Sequence, residues 1–302
     1  MFVRLVASAL VALSFGCAAE SPEDLAAHEE GEARPLHARV LVERTAEAGS
    51  VRTNVSAKFF QVGGKELELA DRFIGFGPAL PAEGECVAMT ALDGVLRKPS
   101  ADFAVDLLDV GDVVLSLPNV DSQTLLAARA FPDVGEIVSG VFYTSPNAEL
   151  GLPAPGRYKL EAGCFDLQSP HARSQCRGTT LGDGLAIEAI APSPPNNAGL
   201  DTANSIKRGS DLKVRWDVDR STPAIQSTIY VDFIAERSYR CSFADEGAAV
   251  LPSEITLDAG ARELVTVVVH RLSHQQLRDE GEQPFEATVL FDLSESFELF
   301  AE

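Results

Sequence analysis

The side chains best suited to acid–base or metal chemistry in this sequence are its five histidines. His270 and His274 are four residues apart, a spacing that places two metal ligands on one face of a helix. However, His270 ends the apolar alternation of ELVTVVVH, and the following residues indicate a break before any helix. The sequence therefore predicts no metal site at this pair. The other histidines lie in segments interpreted as a tether or a loop: His28, His37 and His171.

Motifs for nucleophilic, nucleotide or metalloprotease chemistry are absent from the sequence. It contains no G-x-S-x-G, no H-E-x-x-H, no P-loop and no G-x-G-x-x-G between a strand and a helix. The GFG segment (75–77) lies in a proline-rich loop, where turn geometry explains the glycines. Paired carboxylates for glycoside hydrolysis stay open, because their separation is a spatial property. No cofactor is expected.

Two acid-rich segments could offer oxygen ligands to calcium, DLLDVGD (106–112) and FADEGA (243–248). Neither has the ligand order of an EF-hand loop, so a solvated turn is the alternative. The formal net charge of −20, from 25 basic and 45 acidic residues, opposes nucleic-acid binding, since phosphate contacts need clustered lysine and arginine. We interpret this charge as one that keeps an exported protein soluble.

Residues 1–16 predict an export signal. Arg4 precedes an uncharged apolar run over residues 5–15, and small residues follow the run. This is the order of regions in a signal peptide, and the run is too short to span a membrane comfortably.

The end of this signal resembles a bacterial lipobox, in which Leu, a small residue and Gly or Ala precede the Cys that becomes diacylated. Gly16 and Cys17 match the last two positions, whereas Ser14 and Phe15 depart from the first two. The resemblance implies lipidation at Cys17 and attachment to the lipid bilayer. Because Ala18 rather than Asp follows the cysteine, enterobacterial-type sorting implies an outer-membrane lipoprotein. The alternative is ordinary signal-peptidase cleavage just beyond the cysteine, which would leave a secreted or periplasmic protein without an anchor.

Residues 17–37 are interpreted as the anchor cysteine and an acidic tether. Residues 18–37 contain six acidic residues, one arginine and no β-branched or aromatic residue. Such a segment cannot bury enough apolar surface to order itself.

From Ala38 onward, apolar and polar residues alternate in short segments separated by glycine, proline and aspartate. The segments are ARVLVE (38–43), NVSAKFF (54–60), ECVAMT (85–90), GDVVLSL (111–117), EIVSGVFY (136–143), GRYKLEAG (156–163), LAIEAI (185–190), DLKVRWDVD (211–219), STIYVDFI (227–234), SYRCSF (238–243) and ELVTVVVHR (263–271). Half-buried antiparallel strands have this pattern. The best helix candidate is SHQQLRDE (273–280), which begins with an S-x-x-Q capping pattern.

The pattern predicts an all-β protein of two antiparallel immunoglobulin-like β-sandwich domains in tandem. A loop-rich composition after Cys164 predicts a linker over residues 167–184. The first sandwich is expected over residues 38–166 and the second over residues 185–302.

The second half also carries a resemblance. KRGSDLKVRWDVD (207–219), YRCSFADEGAAVLPSEIT (239–256) and the ELVTVVVHR strand are similar to uncharacterised exported lipoproteins of myxobacteria and related bacteria. In that family, a G-x-D-L-x-V-x-W strand precedes a C-x-F-x-D-x-G turn in an immunoglobulin-like setting. Together with VDLLDVGDVVLSL and APGRYKLEAG upstream, the resemblance covers most of the mature chain. It implies the fold and no established activity.

Four cysteines follow the signal: Cys86, Cys164, Cys176 and Cys241. Export permits disulfides, and four cysteines allow three complete pairings. A Cys164–Cys176 bond is predicted because closing a short loop costs little entropy, and Cys86–Cys164 is the main alternative. Cys241 lies on an apolar strand face and is interpreted as a buried free thiol.

These features predict a cell-envelope lipoprotein that acts as a binding or structural module without catalysis. Its partner would be an envelope or extracellular protein or a glycan, contacted through loops. The alternative is a secreted or periplasmic hydrolase, or its accessory domain. The catalytic carboxylates of such a hydrolase would be far apart in the sequence and would meet only in the folded protein.

Replacing the anchor residue tests the location. Cys17→Ser is expected to move the protein from the membrane pellet to the soluble fraction, because it removes the acylated thiol. Immunoblotting of fractionated cells measures this, with Cys176→Ser as the matched control. Unchanged membrane association of the Cys17 variant would refute lipidation.

Overall fold

The structure, a computed structural model, describes residues 34–47, 49–63, 66–92, 99–100, 102–117, 123–132, 137–145, 156–163, 185–201, 205–220, 226–279 and 285–302. These residues form seventeen strands and three short helices. The all-β prediction is therefore confirmed. None of the helices in the described ranges is long and apolar enough to cross a membrane.

The elements are numbered along the chain. The strands of the first half are β1 (Leu36–Glu47), β2 (Ser50–Gly63), β3 (Cys86–Ala88), β4 (Ala104–Leu107), β5 (Val113–Ser116), β6 (Gln123–Ala130), β7 (Val138–Thr144), β8 (Gly156–Ala162) and β9 (Leu185–Ala191). Those of the second half are β10 (Gly199–Leu200), β11 (Ser205–Ile206), β12 (Leu212–Arg215), β13 (Ser227–Ile234), β14 (Tyr239–Ala244), β15 (Ala248–Leu251), β16 (Leu264–Asp279) and β17 (Phe285–Ala301). The helices are α1 (Leu67–Phe73), α2 (Met89–Leu92) and α3 (Ser253–Leu257).

Most strands belong to one 14-stranded sheet in the order β3-β14-β13-β16-β17-β1-β2-β4-β7-β6-β5-β8-β9, with β11 also paired to β17. A second sheet has the order β10-β12-β15. Strand β6 pairs with both β5 and β7, so it connects the two parts of the large sheet.

Strands β16 and β17 line two separate hydrophobic cores. They pair in antiparallel register along the whole of β16, from Leu264↔Phe300 to Asp279↔Phe285. Alternate residues of β17 share one face, because side chains repeat every second residue in a strand. The first core receives Ala287, Val289, Phe291 and Leu293 from this face together with residues of β1, β2, β5, β8 and β9. The second core receives Leu299 and Ala301 together with residues of β12, β13, β14 and β15.

The division into two tandem immunoglobulin-like domains is not confirmed. Strand β1 pairs in parallel with β17 along its full length, from Leu36↔Phe285 to Glu47↔Ser296. The first strand of the first predicted range is thus hydrogen-bonded to the last strand of the second. Strand β1 also begins at Leu36, two residues before the predicted start of the first domain.

The predicted helix over residues 273–280 is wrong. Residues 273–279 continue strand β16 and remain paired with β17. Leu277 packs against the first core. The capping pattern at Ser273 is a local preference, and pairing with a full-length partner strand overrides it.

The interpretation of Cys241 as a free thiol is also wrong. Cys86 and Cys241 form a disulfide, with their Cα atoms 4.0 Å apart, and they are register partners of β3 and β14. Because the two cysteines are 155 residues apart in the chain, local spacing cannot predict that they pair. The bond excludes the alternative Cys86–Cys164 pairing. Cys164 and Cys176 lie outside the described residues, so the bond between them stays a prediction.

Residues 74–85, here called the covering loop, run from α1 to β3 across one face of the large sheet. Gly75, Gly77 and Gly84 have φ angles of +65°, +78° and +82°, so turn geometry does explain the glycines of the GFG segment. A Cβ atom at Gly77 would lie 2.7 Å from Cδ2 of Leu290 in β17. At the other end, the N–H of Gly84 donates to the carbonyl of Ser242 in β14 at 2.7 Å. The disulfide therefore holds this loop against the sheet.

Removing the disulfide should destabilise the protein. The double variant Cys86→Ala, Cys241→Ala is expected to lose about 2–5 kcal/mol of unfolding free energy, because it releases a long loop in the unfolded chain. Urea denaturation of both proteins without reductant measures the loss. Peptide mapping without reduction provides the control, and a free Cys241 thiol in the wild-type protein would contradict the assignment.

Candidate functional site

The residues predicted for modification lie outside the described part of the chain. Lipidation at Cys17 and the Cys164–Cys176 disulfide therefore stay predictions. His270 and His274 both lie in strand β16 rather than on a helix. Within the described ranges, no group of three or more histidine, cysteine or acidic residues could hold a metal ion.

One polar cluster lies under the covering loop, on strands β13, β14, β16 and β17. Tyr230 and His270 are cross-strand partners whose rings stack with centroids 4.1 Å apart. The Tyr230 hydroxyl donates to Oδ2 of Asp292 at 2.5 Å, and Nδ1 of His270 lies 2.8 Å from Oδ1 of the same carboxylate. Burial, followed by the charge of Asp292, raises the pKa of Tyr230, so the phenol remains a proton donor.

A buried ion pair completes this cluster. Arg240 donates to both oxygens of Asp232, at 2.7 and 2.6 Å. It also donates to the carbonyl of Ala79 in the covering loop at 3.2 Å. Nε2 of His270 lies 3.9 Å from Oδ2 of Asp232, so both ring nitrogens face carboxylates.

The alternation pattern placed Tyr230 and Asp232 on the polar face of their strand, yet they are only 1% and 5% exposed. The covering loop buries this second face. We interpret the cluster as the polar network through which the sheet holds the loop, because its donors and acceptors are bonded to one another.

A second network surrounds Arg271, which has no exposed surface. Nε and Nη2 donate to the two carboxylate oxygens of Asp245, at 2.8 and 3.0 Å. Its remaining N–H groups donate to the carbonyls of Ser193, Pro194 and Asp217, at 2.7, 2.9 and 2.5 Å. All five guanidinium donors are therefore satisfied.

Asp245 belongs to the FADEGA segment (243–248), one of the two acid-rich segments with possible calcium ligands. Besides the guanidinium, it accepts a hydrogen bond from the indole N–H of Trp216 at 2.7 Å. The carboxylate of Asp245 therefore acts inside the protein. It is the counter-charge of buried Arg271 and the hydrogen-bond acceptor of Trp216. This network also fixes the turn after β9, because Arg271 binds two carbonyls of that turn.

That turn forms one side of a cleft of about 480 Å³, here called the junction cleft. Small-molecule sites typically have volumes of about 300–1,000 Å³. Strands β1 and β17 form the other side, where the face of β17 passes from the first core to the second. The lining residues are Arg44, Ala46, Pro194, Pro195, Asn196, Asn197, Asp217, Ser294 and Glu295.

Arg44 and Glu295 are the charged groups that the strands place in the junction cleft. Nε of Arg44 is buried and has no hydrogen-bond partner among the described residues. Burial lowers the pKa of Arg44, and the charge of Glu295 acts in the opposite direction. Burial raises the pKa of Glu295, although a hydrogen bond from the backbone of Ala198 and the charge of Arg44 lower it. Each charge is therefore only partly compensated by the protein.

The other acidic residue of the cleft is already bonded. Oδ2 of Asp217 accepts a hydrogen bond from the side-chain amide of Asn197 at 2.6 Å. Asn197 has φ +51°, a left-handed conformation that asparagine tolerates better than most residues. The amides of Asn196 and Asn197 form an exposed polar rim.

Arg44 and Glu295 were not predicted as site residues from the sequence, although a signal for them exists. Each occupies an inward position of an alternating strand where an apolar residue is expected. Arg44 continues the face of Val40 and Val42, Glu295 that of Phe291 and Leu293, and Arg271 that of Val267 and Val269. Arg44 and Arg271 are the register partners of Leu293 on its two sides. Neighbouring strands thus bring these inward charges together.

No protein-family model matches the sequence, and no curated protein has a significant match to it. The class defined by the structure is an all-β protein in which one long hairpin lines two of the three hydrophobic cores.

Removing the counter-charge of Arg271 should destabilise the fold strongly. Asp245→Ala is expected to cost about 3–5 kcal/mol, because it leaves a buried guanidinium without its carboxylate. The matched control is Asp201→Ala, whose ion pair with Arg215 is solvent-exposed and should contribute less than about 1 kcal/mol. Urea denaturation measures both, and equal small losses would contradict the structural role of the network.

Proposed function

We propose that this protein is an exported, lipid-anchored binding module of the cell envelope, and that its junction cleft receives a polar ligand or a polar group of a partner. The observation that carries the proposal is the half-buried side chain of Arg44, which lines a polar, ligand-sized cleft and whose Nε has no acceptor among the described residues. A partly buried cation that is not fully hydrogen-bonded is costly. An acceptor group bound in the cleft beside the guanidinium would compensate its charge.

The proposed location is supported by the sequence. Residues 1–16 have the regions of an export signal, Cys17 matches the acylated position of a lipobox, and an acidic segment follows. We propose the outer membrane as the site of attachment. The partner would be an envelope or extracellular protein or a glycan.

We also propose that the two cores correspond to two immunoglobulin-like sandwiches that share the β16–β17 hairpin. The first core contains residues of β1, β2 and β17 together with β5, β8 and β9. The second contains residues of β13, β14 and β16 together with β12 and β15. This arrangement would agree with the resemblance of the second half to exported lipoproteins of myxobacteria.

A hydrolase is less well supported. The cluster richest in acid–base groups is that of Tyr230, His270 and Asp292, and it lies under the covering loop. A general base needs a nitrogen within reach of the substrate proton. In this cluster, both ring nitrogens of His270 face carboxylates that Tyr230 and Arg240 also engage.

Filling the cleft tests the proposal. Ala46 lines the cleft and is half-buried, so Ala46→Trp should block the space without removing a charge. The purified full-length protein is screened by ligand-observed NMR against small carboxylates, amino acids, sugars and phosphates. The matched control is Ala186→Trp, at an exposed position of β9.

At least one compound class is expected to bind the wild-type protein and the Ala186 variant saturably and to lose binding at least tenfold in the Ala46 variant. The compound should be recovered chemically unchanged. A screen without binders, or binding that survives the Ala46 substitution, would refute the cleft as the binding site, and turnover would refute the absence of catalysis.

A further inference from the structure

We infer that the junction cleft binds a small zwitterion that carries a carboxylate and a protonated amine, which is the chemistry of a free amino acid or a short peptide. The inference rests on the proposed function and specifies its ligand. Four observations carry it: the guanidinium of Arg44 at the wall of the cleft, the acidic group beside it, the state of the remaining polar groups of the cleft, and the net charge of the whole protein.

The carboxylate is assigned to Arg44. A guanidinium presents its N–H groups in a planar fork that fits the two oxygens of a carboxylate. Nε of Arg44 has no acceptor among the described residues, and the half-buried side chain lines the cleft, so a ligand carboxylate there would lie beside a guanidinium whose charge it can compensate. The backbone around it is held in place, because Arg44 belongs to a strand paired on both sides, with β17 and β2.

The amine is assigned to Glu295. This residue is two positions beyond Leu293, the register partner of Arg44 in β17, and it lines the same cleft. Its carboxylate already accepts the backbone N–H of Ala198, and a carboxylate can accept several hydrogen bonds. An ammonium group beside it would compensate the charge that burial disfavours, just as a ligand carboxylate would for Arg44.

The remaining groups favour a compact ligand without net charge. Asp217 accepts a hydrogen bond from Asn197 and is exposed, so solvent screens its charge more than that of half-buried Glu295. The two asparagine amides at the rim can bind the uncharged polar groups of a peptide or side chain. A simple anion would be repelled by a protein of net charge −20, whereas a zwitterion is not.

The test compares each ligand with forms that lack one charge. Isothermal titration calorimetry of the full-length protein uses the common amino acids and their dipeptides, together with the N-acetylated and the C-terminally amidated form of each. At least one zwitterion is expected to bind at least tenfold more tightly than either of its blocked forms.

Two variants assign the charges to residues. In Arg44→Gln, the zwitterion and its amide should bind equally, and in Glu295→Gln, the zwitterion and its N-acetyl form should bind equally. Arg157→Gln and Glu188→Gln are the controls, since they remove an exposed ion pair of β8 and β9 and should leave affinity unchanged. Thermal unfolding confirms that each variant is folded, and Arg44→Met, which also removes the charge but keeps a long side chain, replaces the glutamine variant if that one does not fold.

The outcomes separate the inference from the proposed function. Equal affinity for free and blocked forms, with binding still lost in Ala46→Trp, would overturn the zwitterion and leave the cleft as a binding site. Absence of binding by every compound in both screens would overturn both. Tight binding of a zwitterion that neither Arg44→Gln nor Glu295→Gln weakens would overturn the assignment of its charges.

Discussion

The antiparallel pairing of β16 with β17 is the constraint on which the rest of this structure depends. The pairing continues along all 16 residues of β16, so one hairpin passes through two hydrophobic cores. The first strand of the chain then adds to β17 in parallel, and β13 adds to β16. Burial of apolar side chains on the shared face stabilises both cores together. A change in the register of this hairpin by one residue would turn both sets of side chains away from their cores.

Where one core ends and the other begins, the inward positions of these strands carry charged instead of apolar side chains. Three charged side chains point inward there, and they differ in burial and in hydrogen bonding. Arg271 is fully buried and has an acceptor for every donor, as expected for a charge removed from water. Arg44 and Glu295 are only half-buried and line an open cleft. The rigid network around Arg271 fixes one side of the cleft, and the partly compensated charges lie on the other. This arrangement supports the proposal that the cleft is a preorganised binding site.

The opposite face of the sheet is covered by a loop that a disulfide bond holds in place. The covering loop buries the cluster of Tyr230, His270 and Asp232, and the Cys86–Cys241 bond holds the end of the loop at the sheet edge. The tyrosine, histidine and aspartate of this cluster are residue types that are common in catalytic sites. Its internal hydrogen bonds indicate a structural role instead, because each group is occupied by a neighbour.

The sequence by itself indicated eleven of the strands and their apolar faces, because alternation is a local property with a period of two residues. It did not indicate β4, β6, β10, β11, β15 or β17. In DLKVRWDVD, the alternation places Leu212, Val214, Trp216 and Val218 on one face; the first three are buried, whereas Val218 is 38% exposed. The location of the protein is likewise argued from local signals in residues 1–17. Tertiary structure alone decided that β1 pairs with β17, that Cys86 meets Cys241, that residues 273–279 are a strand, and that Arg44 and Glu295 line one cleft. These features depend on contacts between residues far apart in the chain, and local periodicity carries no information about which distant strand becomes a neighbour.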